Sequence, residues 1–149
     1  NQERTMPRRE QKLFELEEAR RTLPLVSRVV RDIVEVTAQM KEVYLEIREV
    51  AGSGSDRECL DELQERLQEI ADGRSEFFEE LAALGIEMKD PNKGLVDFPA
   101  LLDGRVVYLC WKLGEETIEH WHEVTAGFDN REPVEGNFET GTVVATNEV

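Results

Sequence analysis

The chain has 149 residues, enough for one domain around one core. Charged side chains make up 34% of it and aromatics 7%, and 33 acids against 18 Lys plus Arg leave a formal charge of −15. Such a field repels nucleic-acid phosphates and anionic lipid heads, and no apolar run reaches the length of a membrane span, so neither is expected as a partner.

Residues 1–12 are polar and lack an apolar centre, so no secretion signal is expected. Cys59 and Cys110 then read as free thiols of a cytoplasmic protein. The first predicted element is a short N-terminal helix over 13–23, with Leu13, Leu16, Ala19 and Leu23 on one side. Pro24 breaks or kinks it, or opens the next helix, because proline has no N–H to give to the preceding turn.

After Pro24 the periodicity is regular. Val26, Ile33, Met40 and Ile47 recur every seven residues, as do Val29, Val36, Val43 and Val50. This is an a/d seam of coiled-coil type, widened by Val30, Thr37, Tyr44 and Ala51. The helix is expected to end near Ala51, before the turn Gly52-Ser53-Gly54-Ser55. Ser55 or Asp56 caps a second helix whose seam is Leu60, Leu63, Leu67, Ile70, Arg74, Phe77, Leu81 and Leu84, with Gly85 just past its end. A short turn between matched helices makes a long antiparallel hairpin.

Arg74 interrupts that seam where Leu is expected. Folding the hairpin about 52–55 sets Arg74 near Val36, with Glu35 and Gln39 in reach. Either its stem packs while its head reaches a surface carboxylate, or it stands inward as a cation that fixes register in a partner bundle. The first helix carries a stripe wider than one partner covers. The missing cover is expected from the short N-terminal helix, the sheet that follows and a second copy of the chain together, so a homodimer is expected, with another protein partner left open.

The strand-like pattern lies in 86–131; it opens with a brief alternation at Ile86-Glu87-Met88, followed by a turn at Asp90-Pro91-Asn92. Asp103-Gly104 is a two-residue hairpin signal between Gly94–Leu102 and Arg105–Trp111; it sets Leu102 opposite Arg105, Phe98 opposite Leu109 and Asp97 opposite Cys110. Pro99 lacks a ladder donor, which places its strand at an edge or at a bulge. A turn at Gly114-Glu115-Glu116 leads to a third strand from Ile118. The fold class expected is α+β, mainly α: a helical hairpin with a short N-terminal helix, followed by a small three-stranded antiparallel β-meander. One domain spans 1–134, its helical part 13–85 and its sheet part 86–131, with 135–149 as a flexible tail.

His120-Trp121-His122 carries the chemistry that the motifs offer. On a strand both imidazoles share one face and Trp121 takes the other. Two histidines at i, i+2 can share one divalent metal such as zinc, given a third ligand. With a two- or four-residue loop after Leu113, the histidines join Leu109, Trp111 and Phe98, and no carboxylate is near. With a three- or five-residue loop they join Cys110 and Asp97, and Glu115 serves either register. The candidate metal ligands are thus His120, His122, Glu115, Cys110 and Asp97. The alternative is a pair of sheet histidines hydrogen-bonded beside a packed tryptophan. No Ser/His/Asp set or Gly-rich phosphate loop supports hydrolysis or nucleotide binding, and no catalytic residue is assigned.

Two phrases, LFELEEARRTLPLV and KDPNKGLVDFPALLDGRVVYLCWKLGEETIEHWHEVTAGFDNRE, resemble the uncharacterised prokaryotic domain of unknown function family 2203, above all in GLVDFPA, YLCW and the WH pair before AGF. The resemblance implies a prokaryotic cytoplasmic protein, and no mechanism. Two functions remain open: an interaction and assembly module built on the hairpin, or a divalent-metal protein built on the HWH strand, either a binding protein or a hydrolytic or redox-active metalloenzyme.

Overall fold

The computed structural model describes residues 11–54 and 57–138. The expectations for the first ten residues, for a cap at Ser55 or Asp56, and for a tail over 139–149 lie outside the described residues. The element order is α1 (Leu16–Ser53), α2 (Arg57–Leu84), β1 (Glu87–Asp90), β2 (Leu95–Leu102), β3 (Arg105–Lys112), β4 (His120–Glu123), a 3-10 turn (Phe128–Asn130) and β5 (Glu132–Pro133). The class is the expected one: two helices packed together, then an antiparallel sheet.

Two corrections follow. Residues 13–23 are not a separate helix. Leu13–Glu15 runs extended, with the Phe14 N–H donating to Pro99 O at 2.7 Å, and Leu16–Leu23 is the start of α1, which continues through Pro24. Pro24 is exposed, on the side of the helix away from the buried stripe, and it costs the helix one backbone hydrogen bond. The buried stripe Leu16, Ala19, Leu23, Val26, Val29, Val30, Ile33 runs across it unbroken, and burial of that stripe outweighs the local loss. The sheet, too, has five strands in the order β1-β2-β3-β4-β5, not three. The extra pair is β1, of four residues, whose brief alternation at 86–88 is too short to be counted as a strand, and β5, whose two residues are too few to alternate.

The hairpin register is the one its turn demands. Asp103 (φ 54) and Gly104 (φ 81) both take positive φ, as a type I′ turn requires, and Leu102↔Arg105, Phe98↔Leu109 and Asp97↔Cys110 face each other. Pro99 is tolerated because β1 extends only to Glu87, opposite Asp97. Beyond that point β2 is locally an edge, and Pro99 only has to accept from Phe14.

Alternation then sorts the sheet. Val96, Phe98, Ala100, Leu102, Val107, Leu109, Trp111 and Trp121 join Leu16–Ile33 of α1 and Leu81 of α2 in one core. Phe14 meets Phe98 edge-on at 5.2 Å. The opposite face carries Asp97, Pro99, Tyr108, Cys110, His120 and His122. Past residue 34 the hairpin leaves the sheet behind; only Thr37 and Val43 of α1 are still buried there. Arg74 lies in this arm, where its Nη1 donates to Thr37 Oγ1 at 3.2 Å and its guanidinium lies 5.0 Å from the Phe78 ring. Its partners are therefore a seam hydroxyl and an aromatic face, and not Glu35 or Gln39. Val134 is buried, and Phe138 packs edge-on at 6.1 Å from Trp121.

Candidate metal centre

One register decides what the HWH strand faces. Cys110 pairs with His120, Leu109 with Trp121, and Tyr108 with His122, across a connection of odd length, residues 113–119. The core enforces this choice. A slip by one residue would drive both imidazoles inward and turn Trp121 out to solvent. The connection is pinned as well: Arg20 Nε and Nη2 donate to Ile118 O at 3.0 and 2.8 Å, and Trp111 Nε1 donates to Glu115 O at 3.0 Å. Both histidines consequently share the face of Cys110 and Asp97.

Three of the five candidates meet. The carboxylate of Asp97, the Cys110 sulfur and an imidazole nitrogen of His122 lie within 4.8 Å of one another, and the residues are 1%, 0% and 4% exposed. A carboxylate, a thiol and an imidazole are ordinary ligand types for transition metals, so this buried group can hold a metal ion. His120 lies outside the trio and Nδ1 of its half-buried ring is a buried atom with no partner. Glu115 is engaged elsewhere. It bridges Arg131 Nη1 at 2.9 Å and accepts the Lys112 N–H at 3.1 Å.

Hydrogen bonding fixes the proton inventory. His122 Nδ1 stands 2.8 Å from Glu123 O, and a carbonyl can only accept, so Nδ1 carries a hydrogen. Nε2 faces both Asp97 oxygens, at 3.1 and 3.2 Å. Two bare acceptors would repel at that distance, so one proton is held between imidazole and carboxylate. Burial pushes the Asp97 carboxyl above its usual range, and the neighbouring His122 offsets part of that rise. Burial, with the Asp97 charge adding to it, pushes the Cys110 thiol up to about 12.

These facts weigh against a cysteine nucleophile. His122 has spent one nitrogen on Glu123 O and the other on Asp97, leaving none to take the Cys110 proton. The thiol is pushed up, whereas an activated one is pushed down. A cation held there by Asp97, Cys110 and His122 would reverse the situation, because thiol, carboxylate and imidazole would give up both protons to serve as ligands.

The surroundings include residues whose roles the pattern did not announce. Tyr108 stands edge-on to His122 at 5.6 Å, and its hydroxyl donates to the Glu87 carboxylate at 3.1 and 3.0 Å. Lys89 Nζ bridges Glu87 at 2.9 Å and sits 4.9 Å from the Tyr108 ring. Arg131 packs on Phe128 at 4.1 Å and brings Nη1 to 4.0 Å from Cys110 Sγ. The brief alternation at 86–88 gave no sign that Glu87 and Lys89 would reach Tyr108, and Arg131 offered no signal beyond a cation in a turn.

The fold and site described above belong to a chain that is a member of the family DUF2203, described as an uncharacterized conserved protein, whose profile matches residues 12–134. No curated protein and no solved structure matches the chain.

Proposed function

We propose that this is a divalent-metal protein whose ion is held by Asp97, Cys110 and His122. The observation that carries the reading is the meeting of three different ligand types in one buried place on the outer sheet face, where an apolar side chain would pack at less cost. The mixed sulfur, nitrogen and oxygen set suits zinc or another late first-row ion. The test is elemental analysis of untagged protein beside a Cys110→Ser/His122→Gln variant. About one metal equivalent in the wild type and none in the variant is expected; equal metal content in both would sink the reading.

A second reading concerns the arm and is compatible with the first. We infer that the outer half of the hairpin associates with a second copy of the chain into a four-helix bundle. Its support is that Tyr44 and Leu45 are 52% and 53% exposed and that Met40, Ile47, Val50, Leu60, Leu63, Leu67 and Ile70 are only half-buried, while the seam keeps its seven-residue repeat. The hairpin then acts as an assembly element and the sheet as its metal-bearing head. Sedimentation showing a dimer at micromolar concentration is expected; a monomer that persists there counts against it. Two free thiols support a reducing, cytoplasmic setting; among the described residues no helix is long and apolar enough to cross a membrane.

A further inference from the structure

The metal reading leaves the fourth coordination position unassigned, and that position decides what the ion does. A tetrahedral ion with three protein ligands and a water is arranged for catalysis, whereas four protein ligands close the site. The candidates for the fourth ligand are few. Glu115 is held by Arg131 and by the Lys112 N–H. Tyr108 is committed to Glu87. Glu87 itself takes both Tyr108 and Lys89.

His120 is different. It stands directly opposite Cys110 in the β3–β4 ladder, a pairing that sets Cβ atoms about 5 Å apart on the same face. Its Nδ1 is withdrawn from solvent yet makes no hydrogen bond. Buried nitrogens without partners are uncommon in folded proteins, and this one belongs to a good zinc ligand beside a second ligand. We propose that His120 turns toward Cys110 and becomes the fourth ligand, giving an Asp97/Cys110/His120/His122 centre that is closed and therefore structural. This rests on the metal reading of the preceding subsection and adds to it the identity of the last ligand and the class of site.

Charge and topology agree with that assignment. One carboxylate and one thiolate neutralise a divalent ion, and two neutral imidazoles complete the shell, so no net charge is left buried. The four ligands come from β2, β3 and β4. The ion would then clamp three adjacent strands across their outer face, opposite the side on which the helices pack.

Cobalt(II) reports both presence and geometry. The untagged wild type, stripped with a chelator, is titrated with cobalt chloride beside Cys110→Ser and His120→Ala, and circular dichroism confirms that each variant is folded. The wild type is expected to show a thiolate-to-cobalt charge-transfer band and the intense visible bands of a tetrahedral ion. Cys110→Ser should lose the charge-transfer band. His120→Ala should bind roughly tenfold more weakly or worse and lose visible intensity as water enters, and added imidazole should restore that intensity. If His120→Ala binds with wild-type affinity and an unchanged spectrum, the fourth-ligand assignment is overturned while the three-ligand reading stands. If the wild type gives no cobalt spectrum at all, both fall.

Discussion

Asp97, Cys110 and His122 share one energetic problem: each is a polar group in a place that water does not reach. The cluster meets it by pooling protons. Asp97 and His122 hold one between them, and Cys110 keeps its own far into the alkaline range. The sign of the pH dependence follows. An unfolded thiol ionises near its ordinary 9.0, but the folded one only near about 12, so the folded chain binds the extra proton in that interval. The stability Cys110 contributes is complete below pH 9 and is lost as pH rises toward 12, with a slope of up to about 1.4 kcal/mol per pH unit. In metal-free protein, urea unfolding from pH 8 upward should therefore show a steeper alkaline decline for wild type than for Cys110→Ala. Some decline should survive in the variant, because the Tyr108 hydroxyl is also raised, by burial and then by Glu87. Identical slopes in the two proteins would contradict this account of the thiol. All five residues of the expected site were legible as ligand types on or beside one hairpin. Which of them meet was not, since it depended on a loop length and on the commitment of Glu115 to Arg131.

The elements divide into those that local chemistry announces and those that only packing creates. Asp103-Gly104 announced its turn and with it the whole β2–β3 register. The seven-residue spacing announced both helices. Nothing local announced that α1 would run through Pro24, because the deciding influence is the sheet that buries the stripe on either side of it. β1 showed only a brief alternation at 86–88 and β5 none, since both are strands that exist by pairing with β2 and β4. The turn between β1 and β2 shows how tightly packing constrains an element. Gly94 has φ +76, and a Cβ there would lie 2.7 Å from Leu113 Cβ and 3.1 Å from Val30 Cγ1. Gly54, past the end of α1, has a similar φ of +70 but nothing within 4 Å. Gly54→Ala should thus cost only the left-handed backbone strain, about 1 kcal/mol. Gly94→Ala should cost roughly 3 kcal/mol, because the crowding adds to the strain. Chemical denaturation distinguishes them, and equal losses would show that the β1–β2 turn relaxes freely away from α1 and Leu113.

At the scale of the molecule, the chain is a sheet head on one end of a helical hairpin, with different support for each end. The head has a core closed by both helices. The arm beyond it is a pair of helices whose seam is half open, and a second copy of the chain is the cover we propose. The head's outer face is where the chemistry gathers, and metal binding there would tie β2, β3 and β4 together. The acidic composition sets the expectation that nucleic acid and membranes are not partners, and it carries no information about a cluster whose carboxylate is a single buried aspartate. The most direct test of the metal centre counts protons. Zinc is titrated calorimetrically into metal-free, untagged protein near neutral pH, in buffers of different ionisation enthalpy, so that protons released per ion are read from the buffer dependence. Release approaching two protons per zinc is expected, one from the Cys110 thiol and one from the Asp97–His122 pair. Binding without proton release, or no binding heat in any buffer, would contradict a centre built on these three residues.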